Sequence, residues 1–267
     1  MEDFLDSETN RGRDYFSFVI QYFYVVHIID MSDLPLISIL TPTYNRHKFL
    51  PLFIHNLKQQ KYPHDRLEVC IDDDGTEPFV DSIAGLQLDI FPMKLVYHRS
   101  KNRRSIGEKR NYLVKKLASS KIVCFMDDDD IYNPNYVMYS YKCLRDNKVG
   151  LVGSSSMIFT YPEKEFKITG IRCEHLYQIH EATMLFTKKY FRSAGGFEKT
   201  SQGEGVSFIL DDPKKVYNTD INNVMICVGH DGNSVDKEQF GGDSMKLADH
   251  YEGPEVDILK EIMRSEI

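Results

Sequence analysis

Lys121-Ile122-Val123-Cys124-Phe125-Met126-Asp127-Asp128-Asp129-Asp130 sets an apolar run of strand length directly against four consecutive carboxylates. A run this short with an apolar, β-branched and aromatic make-up reads as a buried strand. Four aspartates side by side repel one another unless a cation is near. In open α/β sheets, ligands bind beyond the carboxyl ends of the strands, so a strand that ends in charge is where chemistry is to be sought.

The same pattern recurs upstream. Leu36–Leu40 runs into Thr41-Pro42-Thr43-Tyr44-Asn45-Arg46, and Leu67–Ile71 runs into Asp72-Asp73-Asp74-Gly75-Thr76. Lys94–Tyr97 is a third strand of this type. Between them, Lys48–Gln60 places Phe49, Phe53 and Leu57 at helical spacing, tolerates Pro51 in its first turn and stops at Tyr62-Pro63. Helices are also predicted over Gly107–Ala118 and Pro134–Asp146, and another buried strand over Val149–Gly153. This alternation predicts an α/β fold, Rossmann-like, with a mostly parallel central sheet flanked by helices. Beyond Ser154 the pattern is less regular. It predicts a hairpin (Met157–Tyr161, Phe166–Ile171), a helix over Lys188–Ser193 ended by Ala194-Gly195-Gly196-Phe197, and a last strand over Met225–Val228. The polar segment from Gly241 onward offers little core. The expected organisation is an N-terminal extension over 1–34, one domain over 35–233 and a C-terminal tail over 234–267.

Forty acidic residues against 33 basic ones give a net charge of -7, with no Lys/Arg-rich block, which argues against a nucleic-acid partner. The five cysteines form no C-x-x-C pair, and Cys70, Cys124 and Cys227 fall inside strand runs, where a reduced thiol acts as a small hydrophobe. A reducing, cytoplasmic setting is the expectation. Tyr15–Ile29, apolar and aromatic, follows Arg11 and Arg13. It is shorter than the roughly 20 residues of a spanning helix, contains Gln21 and His27, and precedes no small-residue cleavage site. Two readings stand for it: a peripheral or anchored membrane segment, or a dispensable extension ahead of a functional start near Met31.

Carboxylate oxygens without thiolates suit a hard divalent ion such as Mg²⁺ or Mn²⁺, which could bridge the aspartate run to a diphosphate. The competing reading is a solvated acidic turn capping the Pro134 helix; it fares poorly because the run follows a buried strand directly. Arg110 shares a helical stripe with Ile106, Leu113 and Leu117, so a guanidinium interrupts an otherwise apolar face. Either an anion such as a nucleotide phosphate meets it, or its head snorkels to the surface.

Together these motifs resemble the GT-A fold glycosyltransferases of family 2. The resemblance rests on S-I-L-T-P-T-Y-N-R (Ser38–Arg46), I-D-D-D-G-T (Ile71–Thr76), I-G-E-K-R-N (Ile106–Asn111), F-M-D-D-D-D (Phe125–Asp130), A-G-G-F-E (Ala194–Glu198) and G-E-G-V-S-F-I (Gly203–Ile209), in that order. It implies a metal-dependent transfer of sugar from a nucleotide sugar, a UDP-sugar being favoured, to an acceptor hydroxyl. It also implies a nucleotide-base pocket at Pro42, Tyr44 and Asp74, with Arg110 helping to hold the donor. The aspartate run would be the D-x-D motif, with Asp127 near the ribose or metal and Asp129 as principal ligand. Asp128 substitutes for either, because the register inside four identical residues is ambiguous. His230, in G-H-D-G-N (Gly229–Asn233), would complete metal or diphosphate binding, with Mn²⁺ or Mg²⁺ as the ion.

Such enzymes usually invert the anomeric centre, using the aspartate of a Glu-Asp pair as base on the acceptor. This chain reads Glu204-Gly205 instead. The base is therefore assigned to Glu204, with Glu198 as the alternative. Two other functions fit parts of the pattern. A sugar nucleotidyltransferase would need a Gly-rich, lysine-bearing loop after the first strand, which is lacking, and a degenerate nucleotide-sugar-binding module is suggested by Gly205. The sugar and the acceptor, whether glycan, protein or small molecule, are not legible.

Overall fold

A computed structural model describes residues 33–210, 212–233, 237, 245 and 247–264. Tyr15–Ile29 and the start near Met31 lie outside the described residues. The elements run β1 (Ile37–Thr43), α1 (Leu50–Lys58), β2 (Leu67–Asp73), α2 (Ile83–Asp89), β3 (Lys94–Arg99), α3 (Ile106–Tyr112) and β4 (Ile122–Phe125). Then follow β5 (Ile131–Tyr132), α4 (Tyr136–Asp146), β6 (Leu151–Gly153), β7 (Met157–Tyr161), β8 (Lys167–Ile171), β9 (Leu185–Thr187) and α5 (Lys188–Ala194). Last come β10 (Val216–Asn218), β11 (Met225–Val228) and α6 (Glu255–Arg264).

Seven strands form one sheet in the order β10-β6-β9-β4-β1-β2-β3. β1 pairs parallel to both β2 and β4, β2 pairs parallel to β3, and β9 alone runs antiparallel between β4 and β6. The mostly parallel α/β sheet predicted from the alternation is the one found. Its central strands are largely apolar because both faces are covered; every residue of β2 is buried, its polar Glu68, Asp72 and Asp73 included. A second sheet, β5-β11-β7-β8, carries the predicted hairpin, with Met157 opposite Ile171 and Tyr161 opposite Lys167. Among the described residues no helix is long and apolar enough to cross a membrane.

The structure departs from the sequence reading at several places, each with a physical cause. β1 and β2 extend past their apolar runs, so Thr41-Pro42-Thr43 and Asp72-Asp73 are paired strand residues rather than loop. β5, β9 and β10 are two or three residues long, too short to show a period. The helix predicted over Gly107–Ala118 is α-helical only to Tyr112; Leu113–Leu117 continues as a π-turn, with the Ala118 amide donating to the Leu113 carbonyl at 2.9 Å. The segment after Gly241 supplies α6, whose Leu259 and Ile262 are buried with Phe49 and Leu52. Its amphipathic stripe, not its average polarity, decides that packing.

The principal core lies between the large sheet, the turn Leu113–Leu117, α5 and the segment after α5, and is rich in aromatic rings. Phe186 on β9 stands at its centre, with ring centroids of Phe208 at 5.1 Å, Phe125 at 5.7 Å and Phe197 at 6.1 Å. Truncating it leaves a cavity that stiff rings cannot fill. Phe186→Ala is therefore expected to cost about 3–5 kcal/mol in urea unfolding. Leu88→Ala, at a position 78% exposed, should stay within about 0.5 kcal/mol.

Candidate active site

The carboxyl ends of β1, β2 and β4 share one edge of the sheet, and a cleft of 810 Å³ opens there. The link between the first two is Asn45, which takes a left-handed backbone (φ 53°) and accepts from the Thr76 amide at 2.7 Å and the Thr76 hydroxyl at 3.1 Å. Tyr44 sits beside it with the Arg103 guanidinium 3.9 Å above its ring, and both line the cleft. Pro42 lines it from the end of β1.

The three aspartates after β2 divide their work. Asp73 is fully buried and holds the following loop: it accepts from the Gly75 and Phe79 amides at 2.8 Å and from the Tyr97 hydroxyl at 2.6 Å, and pairs with Arg99. Burial alone would raise its carboxyl, but these donors outweigh it and hold it below the ordinary range. Asp72 is taken by Arg104 at 2.5 Å and His98 at 2.9 Å. Of the three, Asp74 lines the cleft, accepting from the Arg104 amide at 2.7 Å and from Lys109 Nζ at 2.5 Å. Lys109, only 4% exposed, also donates to the Thr43 carbonyl and so ties α3 to both strand ends.

α3 begins with a capping box that fixes where Lys109 and Arg110 point. The Ser105 hydroxyl accepts from the Glu108 amide at 3.3 Å, while Glu108 accepts from the Ser105 amide at 3.1 Å. Arg110 is buried and does not snorkel. Its Nε donates to Glu204 Oε1 at 3.1 Å, its terminal nitrogens face Asp127 at 3.3 and 3.4 Å, and its plane lies 4.3 Å from the Phe125 ring centroid. The anion that a buried guanidinium requires is here a pair of carboxylates.

The aspartate run also resolves into distinct roles. Asp130 turns away from the cleft and accepts from the Val228 amide at 2.9 Å, fixing β11. Asp127, Asp128 and Asp129 line the cleft. Asp128 is buried, with Oδ2 lacking a hydrogen-bond partner among the described residues, and burial together with the Asp129 charge raises its carboxyl well above the usual range. Burial would raise Asp129 too, but His230 and Arg46 overcome it and keep the carboxyl low. His230 Nε2 lies 3.1 Å from Asp129 Oδ2 and 3.0 Å from Asn233 Nδ2, while its Nδ1 accepts from the Gly232 amide. Arg46 reaches the same oxygen at 3.3 Å. Of the expected trio Asp127, Asp129 and His230, the last two meet, whereas Asp127 faces Arg110. Among the described residues no three His, Cys, Asp or Glu side chains converge as a ready ligand set. Arg46 pairs with Asp129 and Arg110 with Asp127.

A second cavity of 720 Å³ shares Arg46, Arg110, Asp127 and Asp129 with the first and runs over Met157, Phe159 and Ile171 of the smaller sheet. Glu204 and Glu181 line it, as does His180, which burial chiefly, and the nearby Lys237 charge, push down to about 4, so that its ring is neutral at pH 7. Glu198 is exposed and lines neither cavity; its amide donates to the Glu204 carbonyl. Sequence reading selected Pro42, Tyr44, Asp74, Arg110, Asp127, Asp128, Asp129, Glu204 and His230, and all but His230 line one cavity or both. It does not include Arg46 and Lys109, although both stand inside quoted motifs, Lys109 beside Arg110 and Arg46 two residues after Tyr44. Glu181 carries no local signal at all.

Comparison with known proteins adds to this geometry. The validoxylamine A glucosyltransferase of Streptomyces hygroscopicus subsp. limoneus is 29% identical over 106 residues, 40% of this chain and 23% of that protein. The GalNAc(5)-diNAcBac-PP-undecaprenol beta-1,3-glucosyltransferase of Campylobacter jejuni is 31% identical over 98 residues, 36% of this chain and 30% of the relative. The aligned part thus spans less than a third of either relative's length. Among solved structures, S. aureus TarS 1-349 in complex with UDP-GlcNAc matches with a TM-score of 0.57 at 17% identity, covering 86% of this chain and 65% of that one. Mannosyltransferase PcManGT from Pyrobaculum calidifontis, in complex with GDP-Man and Mn²⁺, matches with a TM-score of 0.52 at 17% identity, covering 81% and 64%. At such identities the likeness carries the fold, which is GT-A. The sequence profile of glycosyl transferase family 2 matches residues 38–197, more than half of the 267 residues, and the chain belongs to that family.

Proposed function

We propose that this chain moves a sugar from a nucleotide sugar, a UDP-sugar being favoured, onto an acceptor hydroxyl with inversion at the anomeric carbon. The observation that carries the reading is the pair of adjoining cavities. The first gathers Tyr44, Asp74, Arg110 and Asp127–Asp129, a set suited to a base, a ribose and a diphosphate; the second brings carboxylates to the shared wall. Family membership, relatives that transfer glucose and fold neighbours bound to UDP-GlcNAc or GDP-Man support the same reading.

In this reading Tyr44 and Arg103 flank the base, and Asp74, steadied by Lys109, accepts from it. The residues fit a hard divalent ion. Asp129 and His230 offer oxygen and imidazole 3.1 Å apart, and Asp128 has a buried oxygen without a partner among the described residues. Mn²⁺ or Mg²⁺ held by Asp129 and His230, with Asp127 or Asp128 adding a carboxylate, would neutralise charge on the departing diphosphate. Arg110 and Arg46 add fixed positive charge in a partly enclosed site, where it needs little reorganisation as negative charge develops.

A donor that binds the folded state alone raises the melting temperature. With Mn²⁺ and a saturating donor from a panel of UDP- and GDP-sugars, the rise should be about 5–10 °C, and Asp129→Ala should remove its metal-dependent part. UDP or GDP, not pyrophosphate, should appear as product; a melting shift without any released nucleotide would mark a binding module instead. Lys109→Met should cost about 3–5 kcal/mol in urea unfolding, because it strands the buried Asp74 carboxylate. Asp74→Asn in the same background should recover part of that loss.

A further inference from the structure

We propose that Glu181, not Glu204, is the general base, its carboxylate standing where a side chain at position 205 would stand. The assignment rests on the glycosyl-transfer reading above. A Cβ on Gly205 would lie 2.5 Å from Glu181 Oε1, 2.7 Å from its Cγ and 2.9 Å from its Cδ. No side chain fits at 205 while Glu181 is in place. The Gly205 amide donates to Glu181 Oε1 at 2.9 Å, so the carboxylate is pinned against the backbone of the residue whose side chain is absent. Glycine permits this close approach, and what approaches is a carboxylate.

The two glutamates differ in what already holds them. Glu204 is 5% exposed and its Oε1 takes the Arg110 Nε hydrogen. A proton on Glu204 would remove the charge hydrogen-bonded to a buried guanidinium, a costly change in a closed site, whereas Glu181 acts on Arg110 through its charge alone. Glu181 is half-buried and lines the second cavity, with Asp127 and Asp129 in the wall shared with the donor cleft. Among the described residues its Oε2 has no hydrogen-bond partner. Hydrogen bonds hold its backbone: the Met184 amide donates to the Glu181 carbonyl at 3.1 Å, and the Thr183 hydroxyl donates to the His180 carbonyl at 2.6 Å while accepting from the Ser154 amide at 2.8 Å. With one oxygen anchored, this carboxylate lines the cavity that adjoins the donor cleft, on the side from which an acceptor hydroxyl would enter.

In the step itself, the acceptor oxygen forms a bond to the anomeric carbon. The bond from that carbon to the diphosphate oxygen breaks, its electron pair leaving on the diphosphate. The acceptor proton passes to Glu181 Oε2.

Water can serve as acceptor, so the test is nucleotide release from UDP-glucose, UDP-GlcNAc and GDP-mannose with Mn²⁺. Glu181→Gln keeps an oxygen for the Gly205 amide and should retain the donor-induced melting shift, while release falls about 10²–10⁴-fold. The double variant Glu181→Ala, Gly205→Asp puts a carboxylate back into the same space from the other side. It should release nucleotide at least roughly tenfold faster than Glu181→Ala alone. Release by Glu181→Gln within about threefold of the natural chain, donor binding intact, overturns the assignment. So does a swap without recovery. A natural chain that binds donor yet releases nothing removes the transfer reading and this assignment with it, an outcome told apart because the substitutions then change nothing.

Discussion

Two neighbouring cations on one short helix make this site's acidity tolerable. Lys109 takes Asp74 and Arg110 takes Asp127 and Glu204, so α3 neutralises carboxylates from β2, from β4 and from the loop that follows α5. Each of these groups would be costly to bury alone. Paired, they also fix geometry, because a buried ion pair tolerates little displacement before its Coulomb gain is lost. The capping box at Ser105 and the π-turn at Leu113–Leu117 bracket the helix, setting where those two side chains emerge.

The same helix draws the acidic loop onto itself through a missing side chain. A Cβ on Gly107 would stand 1.7 Å from the Glu198 carbonyl oxygen, and the Gly107 amide donates to the Thr200 carbonyl at 2.9 Å. Residues 198–204 therefore lie directly on α3, which is why Glu204 can reach Arg110. Asp130 does comparable work on the other side, binding the β11 amide and so bringing Gly229–Asn233, with His230, to the aspartate run. Between these two ties the loops of the irregular half are held at the edge of the regular one.

The central strands and the helices long enough to show a period were legible in the sequence, because both faces of a parallel sheet demand continuous apolar runs and a packed helix demands a stripe. So were Tyr44, Asp74, Arg110 and the aspartate run, since each stands where a strand ends or where an apolar stripe is interrupted. The short strands β5, β9 and β10 were not, being held by neighbours distant in sequence. Nor could four identical aspartates be told apart by spacing; what separates them is that one faces the Val228 amide and another faces Arg110. Glu181 was hidden for the same reason. It is 24 positions from Gly205 in the chain, and the contact exists only once β9 has been laid between β4 and β6.

That last contact bears on how an active site can change a residue without losing a group. A carboxylate is defined, for a reaction, by where its oxygens are and what else holds them, not by the backbone position that carries it. At Gly205 the oxygens arrive from a preceding turn, and the space they need is supplied by removing a Cβ. Substituting at 205 alone would force Glu181 aside, while substituting at 181 alone would leave a void beside glycine. The two positions are thus coupled sterically as well as chemically, and exchanging them together is the one change that conserves both the volume and the charge.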